Sequence, residues 1–231
     1  MHLSQLDNVE AQRRGRYRID ADRDRFTLAA VLLRAVVGRA TGVQASAVVV
    51  DRTCDSCGDP HGRPRLPGSD LEVSISHSGD VVAVAVTTAG PVGVDVEQLG
   101  VGHADLVPTV CTGSELRHVG TAADFYAYWT RKESVLKATG DGLRRPMTSI
   151  EVTPPGTAPA LVSLDGSPGV ACRMTDLRLE GYAGAVAVLA AMQVSFDVFD
   201  AGWILQPAHG TAGRPAVLRA YPKGSSLEFA K

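Results

Sequence analysis

The sequence predicts an α+β fold made of two similar halves, and three observations carry that prediction. Phe26, Ala30, Leu33 and Val37 recur at helical spacing within residues 22–41, and Gly42 follows as a stop. In residues 71–86, LEVSISHSGDVVAVAV, Leu71, Val73 and Ile75 alternate with Glu72, Ser74 and Ser76. A Ser-Gly-Asp turn follows, and the apolar run 81–86 returns, which reads as a hairpin. The same order recurs later: a helix over residues 122–139, short β-rich runs at 150–152 and 160–164, then LEGYAGAVAVLAAM, whose GAVAVLAA echoes GDVVAVAV.

A chain of 231 residues can bury a sizeable core and fits one large domain or two of about 100 residues each. The expected division is a first half at residues 1–97, a linking segment at 98–121, a second half at 122–192 and a partly ordered, Gly-, Ala- and Pro-rich tail at 193–231. An apolar content of 45%, 21% charged residues and a net charge of −2 describe an ordinary globular protein and give no reason to expect nucleic acid as a partner. The N-terminal stretch is polar, with no apolar signal core. The longest apolar run, 183–192, is too short to span a bilayer, so a cytoplasmic protein without membrane association is expected.

Four cysteines are too few for a disulfide scaffold, which suits a reducing compartment. Cys54 and Cys57 form C-x-x-C, with His61 four residues on, and resemble half of a zinc site. The other half would have to come from Cys111, Cys172 or a distant His at no matching spacing. The stretch is therefore read as a structural turn rich in Gly and Pro, with zinc binding and redox chemistry as the alternatives.

The chemistry centres on GVDVE, residues 93–97. In a strand Val94 and Val96 face a core while Asp95 and Glu97 stand side by side on the other surface. Alone, the pair also fits a solvated edge strand. The second-half helix changes the balance. Phe125, Trp129 and Leu136 define its apolar stripe, Lys132 falls within that stripe, and Glu133 and Lys137 lie at its edge as i,i+4 neighbours. Glu133 can complete an acidic triad with Asp95 and Glu97, an oxygen-rich set suited to Mg²⁺. Arg63, Ser76 and His77, from the loop and strand before the acidic strand, are donors suited to phosphate. Together these elements read as a metal-assisted reaction on a diphosphate.

The motifs GRP (62–64), SISHS (74–78), GVDVE (93–97) and WTRKESVLKATGDGL (129–143), in this order and spacing, resemble the 4'-phosphopantetheinyl transferases of the larger, surfactin-synthetase-activating type over roughly residues 12–190. The resemblance implies transfer of the phosphopantetheine arm of coenzyme A to a serine of an apo acyl or peptidyl carrier protein, with release of adenosine 3',5'-bisphosphate. It implies two α+β halves related by pseudo-twofold symmetry, with the ligand in the cleft between them, and a monomer. By motif position, Asp95, Glu97 and Glu133 would hold Mg²⁺, and Glu133 would also help deprotonate the serine. Lys132, Lys137, Arg63, Ser76 and His77 would contact phosphates, with Lys137 and His77 counted beside Glu133 in the catalysis, and Arg25 is the candidate for the 3'-phosphate. Carrier docking is expected near residues 101–120, through Leu106, Val107, Val110 and Leu116.

The sequence departs from the family's pattern in three places. Val73 and Ser74 stand where Phe and Asn are common, Arg63 replaces a common Lys, and the tail has no counterpart. Lys132, the charge inside an apolar stripe, carries the sharpest expectation: Lys132→Met should preserve stability and reduce transfer.

Overall fold

The computed structural model describes residues 3–100, 103–202 and 214–223. Parts of two expected segments, residues 101–102 of the linker and 203–213 and 224–231 of the tail, lie outside these described residues.

The chain opens with helix α1 (Asn8–Arg16), whose N-terminus is closed by a reciprocal capping box between Asp7 and Glu10. Helix α2 (Asp20–Thr41) ends at Gly42, which takes a left-handed conformation at φ 74°. The hairpin follows as β1 (Glu72–Ser78) and β2 (Val81–Thr87), paired antiparallel from Glu72 opposite Thr87 to Ser78 opposite Val81. Strand β3 (Val92–Gln98) carries GVDVE. A single helical turn, α3 (Val107–Val110), lies in the linker, and α4 (Ala122–Thr139) runs from a Thr121–Asp124 capping box to left-handed Gly140. Strands β4 (Ile150–Val152), β5 (Leu161–Leu164) and β6 (Ser167–Pro168) form a small antiparallel sheet. The remaining strands are β7 (Arg173–Asp176), β8 (Tyr182–Val188), β9 (Val194–Asp200) and β10 (Arg214–Pro222).

Two sheets make the centre, one ordered β1-β2-β10-β9 and one ordered β3-β8-β7. The period of two along each strand sorts their side chains into layers. Val82, Val84 and Val86 of β2 pack against Leu32, Leu33 and Val36 of α2, while Val81, Ala83 and Ala85 meet Val92, Val94 and Val96 of β3 and Val186 and Val188 of β8. Ala187 of β8 joins Phe125, Tyr128, Val135 and Leu136 of α4 on the outer side of the second sheet. The layers therefore run α2, first sheet, second sheet, α4.

This arrangement corrects two sequence expectations. The stretch read as a partly ordered tail supplies β9 and β10, and β10 inserts between β2 and β9, parallel to β2. Val217 and Leu218 of β10 are fully buried there. The division at residue 97 does not separate two self-contained halves either, because β3 leaves the first hairpin to pair with β8 along its whole length. Each helix-and-hairpin unit thus passes its next strand to the other sheet.

The two sheets also touch edge to edge, where β1 lies beside β3. Ser74, Ser76 and Ser78 point at β3, and their hydroxyl oxygens accept hydrogen bonds from the backbone N–H groups of Val94 (3.1 Å), Val96 (3.3 Å) and Gln98 (3.0 Å). Three side-chain bonds at a period of two satisfy strand donors that no partner strand reaches. The alternating serines of SISHS are thus a seam between the sheets.

Candidate active site

The face of β3 opposite Val94 and Val96 looks toward α4, so Asp95 and Glu97 are not on an open surface. Asp95 is only 2% exposed. The approach is close because position 93 is glycine: a Cβ there would lie 1.9 Å from the Ser134 carbonyl oxygen and 2.7 Å from the Ala138 nitrogen. That contact brings Glu133 and Lys137 on α4 to Asp95 and Glu97 on β3.

Lys137 is the hinge of the constellation. Its ammonium donates to Asp95 Oδ1 (2.7 Å), to the Val94 carbonyl (3.0 Å) and to Ser76 Oγ (3.1 Å). Ser76 Oγ donates in turn to Asp95 Oδ1 (2.9 Å), and Ser78 Oγ donates to Glu97 Oε2 (2.9 Å). Two carboxylate oxygens remain buried without a hydrogen-bond partner, Asp95 Oδ2 and Glu133 Oε2. Such orphaned acceptors are costly in a folded protein and mark places where another donor or a cation is needed.

Electrostatics agree with the crowding. Burial, with Asp95 and Glu97 adding their charges, pushes Glu133 up to about 7, against the pull of Lys137. Burial also raises Asp95, opposed by Lys137, and raises Glu97, with Asp95 as the second cause. The set is all oxygen, which suits a hard divalent cation such as Mg²⁺. Its three ligand atoms do not lie within 4.8 Å of one another; among the described residues that spacing is met by Cys54, Cys57 and His61.

These groups form one wall of a cavity of about 580 Å³, within the range of small-molecule sites. Phe26, Ala29 and Ala30 of α2 and Ile75 of β1 give it an apolar side, and Trp129 and Leu136 of α4 face them. Its arginines come from the loop after α2 and from α1: Arg13, Arg52 and Arg63. Arg63 is anchored to Glu72 (3.1 Å) and donates to the Ala138 carbonyl at the end of α4 (3.3 Å), which ties GRP to the last turn of the WTRKES helix.

Of the residues singled out in the sequence, the cavity brings together Asp95, Glu97, Glu133, Lys137, Arg63, Ser76 and His77. His77 stands at the exposed end, and partial burial of its ring, then the charges of Arg25 and Lys137, hold its pKa below the usual range. Ser74 is spent on the Val94 N–H. Arg25 is not in the cavity wall: it donates to the Gly79 carbonyl (2.7 Å) and pairs with Asp22.

Lys132 requires a correction. Its side chain is fully buried on the far side of α4, where the ammonium donates to Glu115 (2.5 Å), to the Val110 carbonyl (2.7 Å) and to the Met147 carbonyl (3.2 Å). The physical reason is that a partner carboxylate, equally buried, waits in the linker, so the lysine inside the apolar stripe answers Glu115 and not the cavity. Its neighbour Arg131 is structural as well, bonded to Asp176 and to the carbonyls of Thr153, Pro154 and Thr157.

Sequence reasoning missed Arg13 and Arg52. Arg13 stacks its guanidinium over Phe26 at 5.3 Å and donates to the Pro60 carbonyl (2.7 Å). Arg52 has a buried Nε without a partner, and burial followed by the charge of Arg13 lowers its pKa. Arg52 follows Asp51 just after the apolar triplet 48–50 and gives no signal of its own, and Arg13 is hidden in a basic segment that reads as a solvated surface.

Comparison with known proteins bears on this geometry. The family model described as the 4'-phosphopantetheinyl transferase superfamily matches residues 91–187, from the start of β3 almost to the end of β8. A 4'-phosphopantetheinyl transferase of Bacillus subtilis is 30% identical over 139 residues, covering 57% of this chain and 58% of that protein. The 4'-phosphopantetheinyl transferase HetI of a Nostoc strain is 31% identical over 163 residues, covering 67% of this chain and 68% of that protein. The transferase Sfp of Bacillus subtilis strain 168 is 29% identical over 139 residues, 57% of this chain and 58% of its own. The matched region spans 58–68% of these relatives' length. The motifs, the family match and the HetI alignment agree: the chain belongs to the 4'-phosphopantetheinyl transferase superfamily.

Proposed function

We propose that this protein transfers the 4'-phosphopantetheine arm of coenzyme A to a serine hydroxyl of an apo acyl or peptidyl carrier protein, with Mg²⁺, releasing adenosine 3',5'-bisphosphate. The observation that carries the reading is the pair of buried, unpartnered oxygens on Asp95 and Glu133 beside Lys137, in a cavity ringed by arginines. On this reading α2 with β1–β2 and α4 with β7–β8 are the halves related by pseudo-twofold symmetry, and coenzyme A occupies the cavity between them. The chain acts as a cytoplasmic monomer. Among the described residues, no helix is long and apolar enough to cross a membrane.

Asp95, Glu97 and Glu133 would hold the metal, whose charge neutralises the pyrophosphate and its leaving group. Arg13, Arg52 and Arg63 bind the phosphates at the rim, and Phe26, Ala29, Ala30 and Ile75 seat the less polar part of the cosubstrate away from water. Lys137 fixes Asp95 and adds positive charge where the leaving phosphate develops negative charge. Glu133 would also help deprotonate the serine as the serine oxygen bonds to phosphorus and the pyrophosphate P–O bond breaks.

For carrier docking, the linker offers Leu106 and Leu116, 44% and 43% exposed. Val110 lies in the core beside Phe125 and is not available. The test is intact mass spectrometry of a panel of apo carriers incubated with the protein, coenzyme A and Mg²⁺. Gain of one phosphopantetheine on a carrier is expected. Consumption of coenzyme A with every carrier mass unchanged would make the protein a pyrophosphate hydrolase instead.

A further inference from the structure

The loop that brings Arg52 and Arg63 to the cavity also contains a second cluster, of different chemistry. Cys54, Cys57 and His61 are spaced C-x-x-C-x-x-x-H, and their two sulfurs and one ring nitrogen all lie within 4.8 Å of one another. Cys57 Sγ is 3.0 Å from His61 Nε2. Tetrahedral zinc, with bonds of about 2.3 Å to sulfur and about 2.0 Å to nitrogen, places two thiolates about 3.8 Å apart and a thiolate about 3.5 Å from an imidazole nitrogen. The separations in the turn, 3.0 Å for Cys57 to His61 and no more than 4.8 Å for the other pairs, bracket those values.

The backbone turn is what brings the three side chains together. Gly58 takes φ 78°, and its N–H donates to the Cys54 carbonyl (2.9 Å), closing a tight turn. The Asp59 carbonyl accepts from the N–H groups of both Cys54 (2.8 Å) and His61 (2.8 Å), which ties the first ligand to the last across the turn. Cys111 and Cys172 sit in or against the core beside α4, so neither is a fourth ligand. Cys57 and His61 are exposed, which leaves the fourth position to water.

We propose that Cys54, Cys57 and His61 bind one Zn²⁺ at the rim of the cavity. Two thiolates and an imidazole select a borderline-soft ion, whereas the Asp95, Glu97 and Glu133 oxygens suit Mg²⁺, so the chain keeps two metals apart by ligand chemistry. The zinc position also has a consequence for the wall. His61, Gly62, Arg63 and Pro64 line the cavity directly after the last ligand, and the Gly62 N–H returns to the Arg52 carbonyl (2.7 Å). Arg13 holds Pro60, and Arg144, just beyond α4, donates to Ser56 Oγ (2.6 Å). Metal bound to this turn fixes the loop that carries Arg52 and Arg63.

The test uses the full chain, reduced, loaded with Zn²⁺ or Co²⁺ and desalted. One metal per chain is expected, and the Co²⁺ form should show thiolate-to-cobalt charge transfer with the intense visible bands of a tetrahedral site. Cys57→Ser and His61→Ala should each weaken Zn²⁺ binding by more than the roughly 10–100-fold lost with an outer-shell partner. Asp95→Ala should keep the zinc, which separates this site from the acidic one. Substoichiometric zinc, a Co²⁺ spectrum without thiolate charge transfer, full affinity in both loop variants, or a Cys54–Cys57 disulfide that persists in reductant and excludes zinc would each overturn the proposal.

Discussion

Lys132 and Glu133 are adjacent in sequence and about 100° apart around α4, and that rotation gives them opposite fates. Lys132 closes a buried ion pair with Glu115, which also accepts from the backbone N–H groups of Thr112 and Val152. Lys132→Met leaves that carboxylate without its cation, so a loss of about 3–5 kcal/mol is expected from urea unfolding, with the rate per folded molecule retained. This reverses the expectation drawn from the sequence. Glu133 is the acid whose folded-state pKa, about 7, stands above its ordinary value of 4.5. A raised acid favours the fold while it is neutral, so its contribution is complete below pH 4.5 and is lost as the pH climbs through 7. In metal-free buffer Glu133→Gln should therefore melt with the wild type at pH 4 and above it at pH 8. Parallel melting curves across that range would contradict the assignment. The helical wheel puts Lys132 inside the apolar stripe and Glu133 at its edge but does not say which side faces the cavity, because α4 is covered on nearly every side.

At the level of elements, the contact that makes the site is β3 against α4 at Gly93. Gly93→Ala forces a Cβ into the Ser134 carbonyl and must push the helix outward. Overpacking of this kind costs about 1–3 kcal/mol or more. The helix face that moves carries Glu133 and Lys137, so transfer should fall further than stability does, as read by thermal melts beside initial rates on the same sample. The alternation in GVDVE correctly placed Val94 and Val96 on one face and Asp95 and Glu97 on the other. What covers the second face was not legible, since a period of two says nothing about the element that packs there. The hairpin and both main helices were legible for the same local reason, and the serine seam between β1 and β3 was not, because it joins residues twenty apart across two sheets.

For the whole molecule, the exchange of strands between sheets explains why the tail was misread. VSFDVFD and RPAVLRAYP have strand character and pair with each other, but they join the central sheet by parallel pairing of β10 with β2, more than a hundred residues earlier, and no local pattern announces that. Deleting residues after 192 removes the buried Val217 and Leu218 and bares the edge of β2. The shortened chain should lose cooperative thermal unfolding, which differential scanning calorimetry would show; a wild-type transition would mean that β9 and β10 are dispensable. The central claim is that Asp95, Glu97 and Glu133 serve a metal-dependent transfer. Its most direct test is the initial rate at which an apo carrier gains phosphopantetheine across a Mg²⁺ titration at saturating coenzyme A, for the wild type and Asp95→Ala. The wild-type rate should rise from zero to saturation with Mg²⁺ while the variant stays at least a thousandfold lower, about 4 kcal/mol of lost transition-state stabilisation. A wild-type rate indifferent to Mg²⁺, or a variant that matches it at limiting Mg²⁺, would contradict the account.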